Sequence, residues 1–219
     1  MIRAVIFDVD GTLLDTERLY VEAWRKAVSE MGYELPEDVI RRTRAIDRAI
    51  AERIFKDALG EAFDYYEAYR RRVEIAEAVI ASGTHTLPKP GAFALLDWLD
   101  AHGIRKAVAS MTRRERTEPH LQAAGLLDRF PVRVTGDQVQ KGKPDPEIFL
   151  TAAALLGVEP ADCMVCEDSY AGVEAAKRAG MLPVMIPDYV PARQQERETA
   201  KIVPTLYDVI GLLEENSYE

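Results

Sequence analysis

Residues 2–15 read IRAVIFDVDGTLLD, and this stretch decides the fold. The apolar run that ends at Phe7 predicts a buried strand. Because side chains two residues apart in a strand point the same way, Asp8 and Asp10 are expected to face one cavity at the end of that strand. Gly11 allows the tight turn that must follow.

Two carboxylates in this arrangement suit one kind of chemistry. One can attack a phosphorus atom as a nucleophile while its neighbour handles the proton of the leaving group, and a divalent cation cancels the charge between them. The alternative is an ordinary strand end followed by polar turn residues, because turns favour Asp and Gly for conformational reasons. Residues elsewhere in the chain must decide between the two.

Composition restricts the class of protein. A chain of 219 residues with 47% hydrophobic content can form one large or two small domains with a buried core. Its formal net charge of -9 argues against nucleic acid or an anionic membrane as a partner. The sequence shows no basic leader followed by an apolar segment, and no apolar run approaches the roughly 20 residues of a membrane span. We therefore expect a cytoplasmic monomer or weak homodimer that acts on a small molecule.

The cysteines and histidines do not suggest a metal site. Cys163 and Cys166 have the C-x-x-C spacing but fall in a predicted buried strand, where their odd offset places them on opposite faces. The three histidines show no recurring ligand spacing. None of these side chains is predicted to bind a metal or to act in redox chemistry.

Two kinds of hydrophobic pattern occur along the chain. From Thr16 to about Ala81, apolar residues recur at helical spacing and no segment reads as a strand, which predicts a helical insert. From Pro90 onward, helices predicted over residues 92–101, 114–124, 146–156, 171–179 and 206–213 alternate with strands over residues 104–109, 132–134, 163–166 and 182–186. This alternation predicts an α/β fold with a parallel sheet covered on both faces. The Arg70-Arg71-Arg72 run is interpreted as the solvated face of an insert helix.

Ligands of such sheets bind beyond the carboxyl ends of the strands, so the residues just after each strand matter most. Ser110-Met111-Thr112 offers a hydroxyl and successive backbone amides, which can cradle an anion. Lys143 lies in a stiff, proline-rich loop and could hold its ammonium against a phosphate.

Glu167 and Asp168 form a second acidic pair, directly after another predicted strand. Carboxylates together with water and substrate phosphate are the oxygen ligands that Mg²⁺ prefers. Each feature has an ordinary explanation by itself, such as a helix cap or acidic residues near a helix N-terminus. Their joint occurrence after successive strands favours a phosphate site.

These motifs together resemble the haloacid dehalogenase superfamily, in the subfamily with a helical cap inserted after the first strand. Phosphoglycolate-phosphatase-like and beta-phosphoglucomutase-like members are the most similar. The likeness spans essentially the whole chain and rests on DVDGT from Asp8, Ser110, Lys143-Pro144, and Glu167-Asp168-Ser169 followed by Gly172. It implies a doubly wound, Rossmann-like parallel core of residues 1–15 and 87–219, with an α-helical cap of residues 16–86 over the site.

The resemblance also implies roles for individual residues. Asp8 would be the nucleophile that becomes an aspartyl phosphate, and Asp10 the acid and base for the leaving oxygen. Ser110 and Lys143 would bind the phosphoryl group. Mg²⁺ would be held by Asp8, the Asp10 carbonyl and Asp168, with Glu167 binding it directly or through another ligand. The implied activity is Mg²⁺-dependent hydrolysis of a small phosphate ester.

Two other functions have to be compared with hydrolysis. A mutase resembling beta-phosphoglucomutase would carry a histidine where this chain has Tyr20 and a lysine near Ala78, although Arg48 lies near that enzyme's substrate-binding arginine. A receiver-type signalling module would be shorter, would lack a cap, and would carry its phospho-acceptor in the middle of the chain rather than at Asp8. Hydrolysis is the preferred prediction.

The predicted substrate is a sugar phosphate or an acid of phosphoglycolate size. In this family the cap supplies the specificity, and its residues follow no readable code. Tyr20, Arg44 and Arg48 are the candidates for contact with the organic part of the substrate.

Overall fold

The computed structural model describes residues 1–43, 48–83 and 88–215. The chain divides into two compact units. The core unit comprises Met1–Asp15 and Thr86–Glu219, and the helical unit comprises Thr16–His85. Arg44, one of the predicted substrate contacts, lies outside the described residues.

The regular elements follow one another in a simple order. They are β1 Ala4–Phe7, α1 Thr16–Glu30, α2 Glu37–Arg42, α3 Arg48–Leu59, α4 Tyr65–Ala81, α5 Ala92–Ala101, β2 Arg105–Ser110, α6 Arg114–Ala123, β3 Val132–Thr135, α7 Glu147–Leu156, β4 Cys163–Glu167, α8 Tyr170–Arg178, β5 Leu182–Met185, α9 Gln194–Thr199, β6 Lys201–Ile202 and α10 Leu206–Glu215.

The core unit contains a six-stranded sheet in the order β3-β2-β1-β4-β5-β6, in which every neighbouring pair is parallel. The chain runs outward from β1 in one direction through β2 and β3, and in the other through β4, β5 and β6. The carboxyl ends of β1, β2 and β4 therefore meet at the point where the strand order reverses, which is where such sheets bind ligands. The predicted doubly wound α/β fold is confirmed.

Both faces of the sheet are buried, as the near-continuous apolar strands predict. Alternate residues of β1 belong to different hydrophobic clusters, Phe7 to one and Ile6 to the other. Cys166 lies in the cluster of Phe7 and Cys163 in that of Ile6, so the two thiols are on opposite faces. Both cysteines are free and buried.

The helical unit is built from α1 to α4, and every regular element in its described part is a helix. α1 packs along α4 through small and branched apolar side chains, among them Ala23, Ala27 and Ala76. An aromatic cluster around Phe55 and Phe63 fills the other half of the unit. Among the described residues, no helix of the chain combines the length and the apolar character needed to cross a membrane.

Two elements of the core unit were not predicted from the sequence. α9 is six residues of polar sequence, and the residue that it buries is Glu196, which accepts a hydrogen bond from Arg193. No apolar residues therefore recur at helical spacing in this segment. β6 is only two residues long and pairs at the edge of the sheet, with Ile202 opposite Met185. Neither segment is long enough to show a hydrophobic period.

Gly91 lies at a point where the core unit is closely packed. Its φ is +90°, and a Cβ there would lie 2.8 Å from the Leu206 carbonyl carbon. Gly91→Ala should therefore lower the free energy of unfolding by about 3 kcal/mol or more, because steric overlap adds to the cost of the left-handed backbone. Chemical denaturation would measure this loss.

Gly103→Ala is the matched control, since Gly103 has φ +65° with no atom within 4 Å of the added Cβ. It should cost only the backbone penalty of about 1–2 kcal/mol. Equal losses in the two variants would contradict the close approach at Gly91.

Candidate active site

Asp8 lies just beyond β1, where its backbone N–H continues the ladder by donating to the Cys166 carbonyl at 3.0 Å. The residue is buried. Lys143 approaches it from the loop before α7, and its Nζ donates to Asp8 Oδ1 at 2.5 Å, to Glu167 Oε1 at 2.6 Å and to the Ala109 carbonyl at 3.1 Å. One ammonium thus joins the ends of β1, β2 and β4.

The electrostatics of this contact are those of a buried, negatively charged site. Burial raises the pKa of Asp8 above its ordinary value, with Glu167 and Asp10 adding to the rise and Lys143 opposing it. Burial would lower the pKa of Lys143, but Asp8 and Glu167 outweigh that effect and raise it above its ordinary value. A single ammonium is thus shared by two carboxyl groups, so a further cation would be bound favourably here.

Glu167 is held on its other side by the start of α8. Its Oε2 accepts hydrogen bonds from Ser169 N at 2.9 Å and Ser169 Oγ at 2.8 Å. The Ser169 hydroxyl in turn accepts from Gly172 N at 3.1 Å and caps the helix. A Cβ at Gly172 would overlap the Glu167 carboxylate. The glycine in this motif is therefore explained by a close approach.

Asp10 follows two residues later, in a turn that Gly11 enters with φ +85°. Its Oδ2 accepts a hydrogen bond from Thr112 Oγ1 at 2.7 Å. The Thr112 N–H donates to Ser110 Oγ at 3.1 Å, so the loop after β2 and the loop after β1 are connected. The structure thus brings Asp10 and Ser110 into one hydrogen-bonded group.

Met111 and Asp168 lie in the same loops but are held differently. Met111 is exposed, and its carbonyl carbon would lie 2.9 Å from a Cβ built at Gly136. Asp168 Oδ1 accepts a long hydrogen bond of 3.4 Å from Thr12 Oγ1.

The predicted metal ligands are oxygen donors at adjacent strand ends. Within residues 1–43, 48–83 and 88–215, no group of three or more His, Cys, Asp or Glu side chains is spaced to hold a metal ion. The chemistry of the donors nevertheless fits Mg²⁺, because carboxylate and carbonyl oxygens are its preferred protein ligands. The charge excess around Asp8 points the same way.

Tyr20 and Arg48 both lie in the helical unit. Tyr20 is buried in α1, with the Arg72 guanidinium 4.1 Å from its ring centre. Arg48 begins α3, lies 4.5 Å from the centre of the Tyr69 ring and donates to the Tyr69 hydroxyl at 3.3 Å. Of these two predicted contacts, Arg48 lines a cavity of about 460 Å³ within this unit, together with Trp24, Thr43, Ala51, Phe55, Tyr65, Tyr69 and Arg72.

The interpretation of the arginine run as a solvated helix face was wrong for one of its members. Arg70 is exposed and pairs with Glu67 and Glu74. Arg72 lies over aromatic rings and lines the cavity. The helical phase that separates it from Arg70 is visible in the sequence, but the rings that it meets come from other parts of the chain.

Comparison with known proteins identifies the class. A model of haloacid dehalogenase-like hydrolases matches residues 2–180, and the chain belongs to this family. The phosphorylated carbohydrates phosphatase of Thermotoga maritima is 39% identical over 178 residues, which cover 81% of this chain and 82% of that protein. The family assignment predicted from the motifs is confirmed, and the chain is a phosphomonoester hydrolase.

Two further proteins extend the comparison. The beta-phosphoglucomutase of Bacillus subtilis is 34% identical over 187 residues, which cover 83% of this chain and 82% of that protein. The crystal structure of CbbY from Rhodobacter sphaeroides in complex with phosphate superposes with a TM-score of 0.77 at 26% identity, covering 95% of this chain and 96% of that one. A phosphatase and a mutase are thus both similar to this chain.

Lys143→Met should destabilise the core unit strongly, because it leaves two buried carboxylates without their cation. We expect a loss of about 3–5 kcal/mol in the free energy of unfolding, the usual effect of removing one partner of a buried ion pair. Chemical denaturation without added metal would measure it.

The control is Lys141→Met, whose side chain is 72% exposed. Its effect should stay within about 0.5 kcal/mol, as for most surface substitutions. A loss at Lys143 no larger than the loss at Lys141 would contradict the structural importance of the contact.

Proposed function

We propose that this chain is a Mg²⁺-dependent phosphatase that hydrolyses a small phosphorylated metabolite through an aspartyl phosphate on Asp8. The observation that carries the proposal is the buried Asp8 carboxylate at the end of the central strand, bonded to Lys143. Asp10 is two residues away and is tied to the loop of Ser110. A nucleophile, a proton donor and phosphate-binding groups are then present on adjacent strand ends.

The reaction has two steps. In the first, an Asp8 oxygen attacks the phosphorus, the bond between phosphorus and the leaving oxygen breaks, and Asp10 gives its proton to that oxygen. In the second, a water molecule attacks the same phosphorus while Asp10 takes a proton from it. The bond between phosphorus and the Asp8 oxygen then breaks, which releases inorganic phosphate and restores both carboxyl groups.

The phosphoryl group would be bound by Lys143, the Ser110 hydroxyl and the Met111 backbone amide. Lys143 is already in contact with the nucleophile, so its ammonium lies beside the site where the phosphoryl oxygens carry charge. Glu167 also holds Lys143, because its Oε1 accepts a hydrogen bond from that ammonium while Ser169 donates to its Oε2.

Asp8, the Asp10 carbonyl and Asp168 would hold Mg²⁺. Glu167 would bind the metal either directly or through another ligand. When bound, the metal offsets the negative charge shared by the carboxylate nucleophile and the phosphoryl oxygens. Asp8 and Glu167 share the single ammonium of Lys143, and this supports the assignment.

The substrate class that we propose is a phosphorylated carbohydrate or a phosphorylated acid of similar size. The T. maritima relative is named as a phosphatase of phosphorylated carbohydrates, which favours the first. We propose Tyr20, Arg44 and Arg48 as contacts for the organic part of the substrate. A phosphate-release screen across phosphorylated metabolites would test the function and the substrate class together.

A sugar-phosphate mutase is the second candidate, because the B. subtilis beta-phosphoglucomutase is also similar. Tyr20 in place of a histidine and the absence of a lysine at Ala78 favour hydrolysis. The products distinguish the two functions, since a mutase converts its substrate into an isomer and releases little inorganic phosphate.

Metal removal is the first test of the mechanism. Release of phosphate from 4-nitrophenyl phosphate should stop after exhaustive chelation and return when Mg²⁺ is added, because the acidic groups then lack the cation that offsets their charge. Thermal unfolding of the chelated protein would verify that it stays folded. Full activity after chelation would overturn the metal assignment.

Replacement of the nucleophile is the second test. Asp8→Asn should lower kcat by more than about 10³-fold, because the amide is nearly isosteric but a poor nucleophile. Phosphate release and circular dichroism would separate loss of chemistry from loss of fold.

Asp97→Asn, at a side chain that is 71% exposed in the same unit, is the control and should keep its activity. If Asp8→Asn retained a tenth of the turnover, Asp8 would not be the nucleophile.

A further inference from the structure

Thr112, in the loop after β2, has a polar side chain to which the proposed reaction gives no role. Thr112 is partly buried, and its Oγ1 donates to Asp10 Oδ2 at 2.7 Å. This distance is typical of a strong hydroxyl–carboxylate hydrogen bond. The contact joins the loop that follows β2 to the turn that follows β1.

The backbone of Thr112 is fixed independently of Asp10. Its carbonyl accepts hydrogen bonds from Thr117 Oγ1 at 3.1 Å and from Gly136 N at 3.2 Å, and its own N–H donates to Ser110 Oγ. Gly136 also lies directly against Met111. The Thr112 backbone is therefore held by groups other than Asp10.

We propose that Thr112 is a positioning residue that orients the Asp10 carboxyl group for proton transfer. The last torsion of an aspartate side chain is broad and roughly two-fold, so its two oxygens exchange places easily. A donor held at Oδ2 selects one orientation of the carboxyl group. This inference rests on the proposed role of Asp10 as acid and base.

The arrangement also couples two parts of the site. Ser110 and Met111, which the proposed function gives to the phosphoryl group, precede Thr112 in the same loop. A hydrogen bond from that loop to Asp10 keeps the proton donor in register with the bound phosphoryl group. Misplacement of a reacting group by about 1 Å can cost on the order of 10²-fold in rate.

The test compares two aryl phosphates that differ in their need for a proton. Phenyl phosphate has a poor leaving group, whereas 4-nitrophenyl phosphate releases 4-nitrophenolate, which departs readily as the anion. Thr112→Val, which removes the hydroxyl and keeps the shape, should lower kcat/KM for phenyl phosphate by about 10- to 100-fold. For 4-nitrophenyl phosphate the loss should be below about threefold.

Two companion variants make the comparison specific. Thr112→Ser keeps the hydroxyl and should restore kcat/KM for phenyl phosphate to within about twofold of wild type. Thr151→Val removes a hydroxyl that donates to the Glu147 carbonyl on α7, and it should leave kcat/KM unchanged for both substrates. If Thr112→Val does not fold, as judged by thermal unfolding, Thr112→Ala removes the same donor and gives the same comparison.

A double-mutant cycle with Asp10→Asn completes the test. If Thr112 acts through Asp10, Thr112→Val should cause no further loss in the Asp10→Asn background. Equal losses on both substrates, or the same loss in both backgrounds, would overturn the proposal. If Asp10→Asn is selective for phenyl phosphate and Thr112→Val is not, only the role of Thr112 fails. If Asp10→Asn itself is not selective, the acid–base role of Asp10 fails and this proposal with it.

Discussion

The buried contact of Lys143 with the carboxylates of Asp8 and Glu167 is the interaction on which the rest of the core unit's site depends. Moving such charges out of water costs several kcal/mol for each ion, and only good geometry with further hydrogen bonds offsets that cost. Lys143 finds three acceptors, and the free side of Glu167 is bonded by Ser169. Gly172 follows from the same constraint, because the Glu167 carboxylate occupies the space that a Cβ would need.

This constraint is met by the topology of the sheet. The order of the strands reverses at β1, so the ends of β1, β2 and β4 are neighbours although they are distant in sequence. Each strand end contributes one part: the nucleophile candidate Asp8, the loop of Ser110, and Glu167. Lys143 reaches them from the loop before α7. The hydrogen bond from Thr112 to Asp10 adds a second connection between strand ends, so the polar groups are fixed relative to one another before any substrate binds.

Charged side chains in the helical unit are held in a different way. Two of its arginines lie over aromatic rings, Arg72 over Tyr20 and Arg48 over Tyr69. A guanidinium is attracted to a ring face, and its planar set of donors matches carboxylate and phosphate groups. The unit thus contains a cavity lined by cations and aromatic rings, whereas the polar groups at the strand ends of the core unit suit phosphoryl transfer.

The sequence by itself determined the alternation of helices and strands, the parallel α/β class, and the positions of Asp8, Ser110 and Glu167 at strand ends. These features follow from hydrophobic periods and from the side-chain alternation of strands, which are local properties. Only the tertiary structure decided that Lys143 contacts both Asp8 and Glu167, that Thr112 bonds to Asp10, and that Arg72 lies over aromatic rings while Arg70 is exposed. Those facts depend on which distant segments become neighbours and on the orientation of each side chain, and neither a period nor a spacing encodes them.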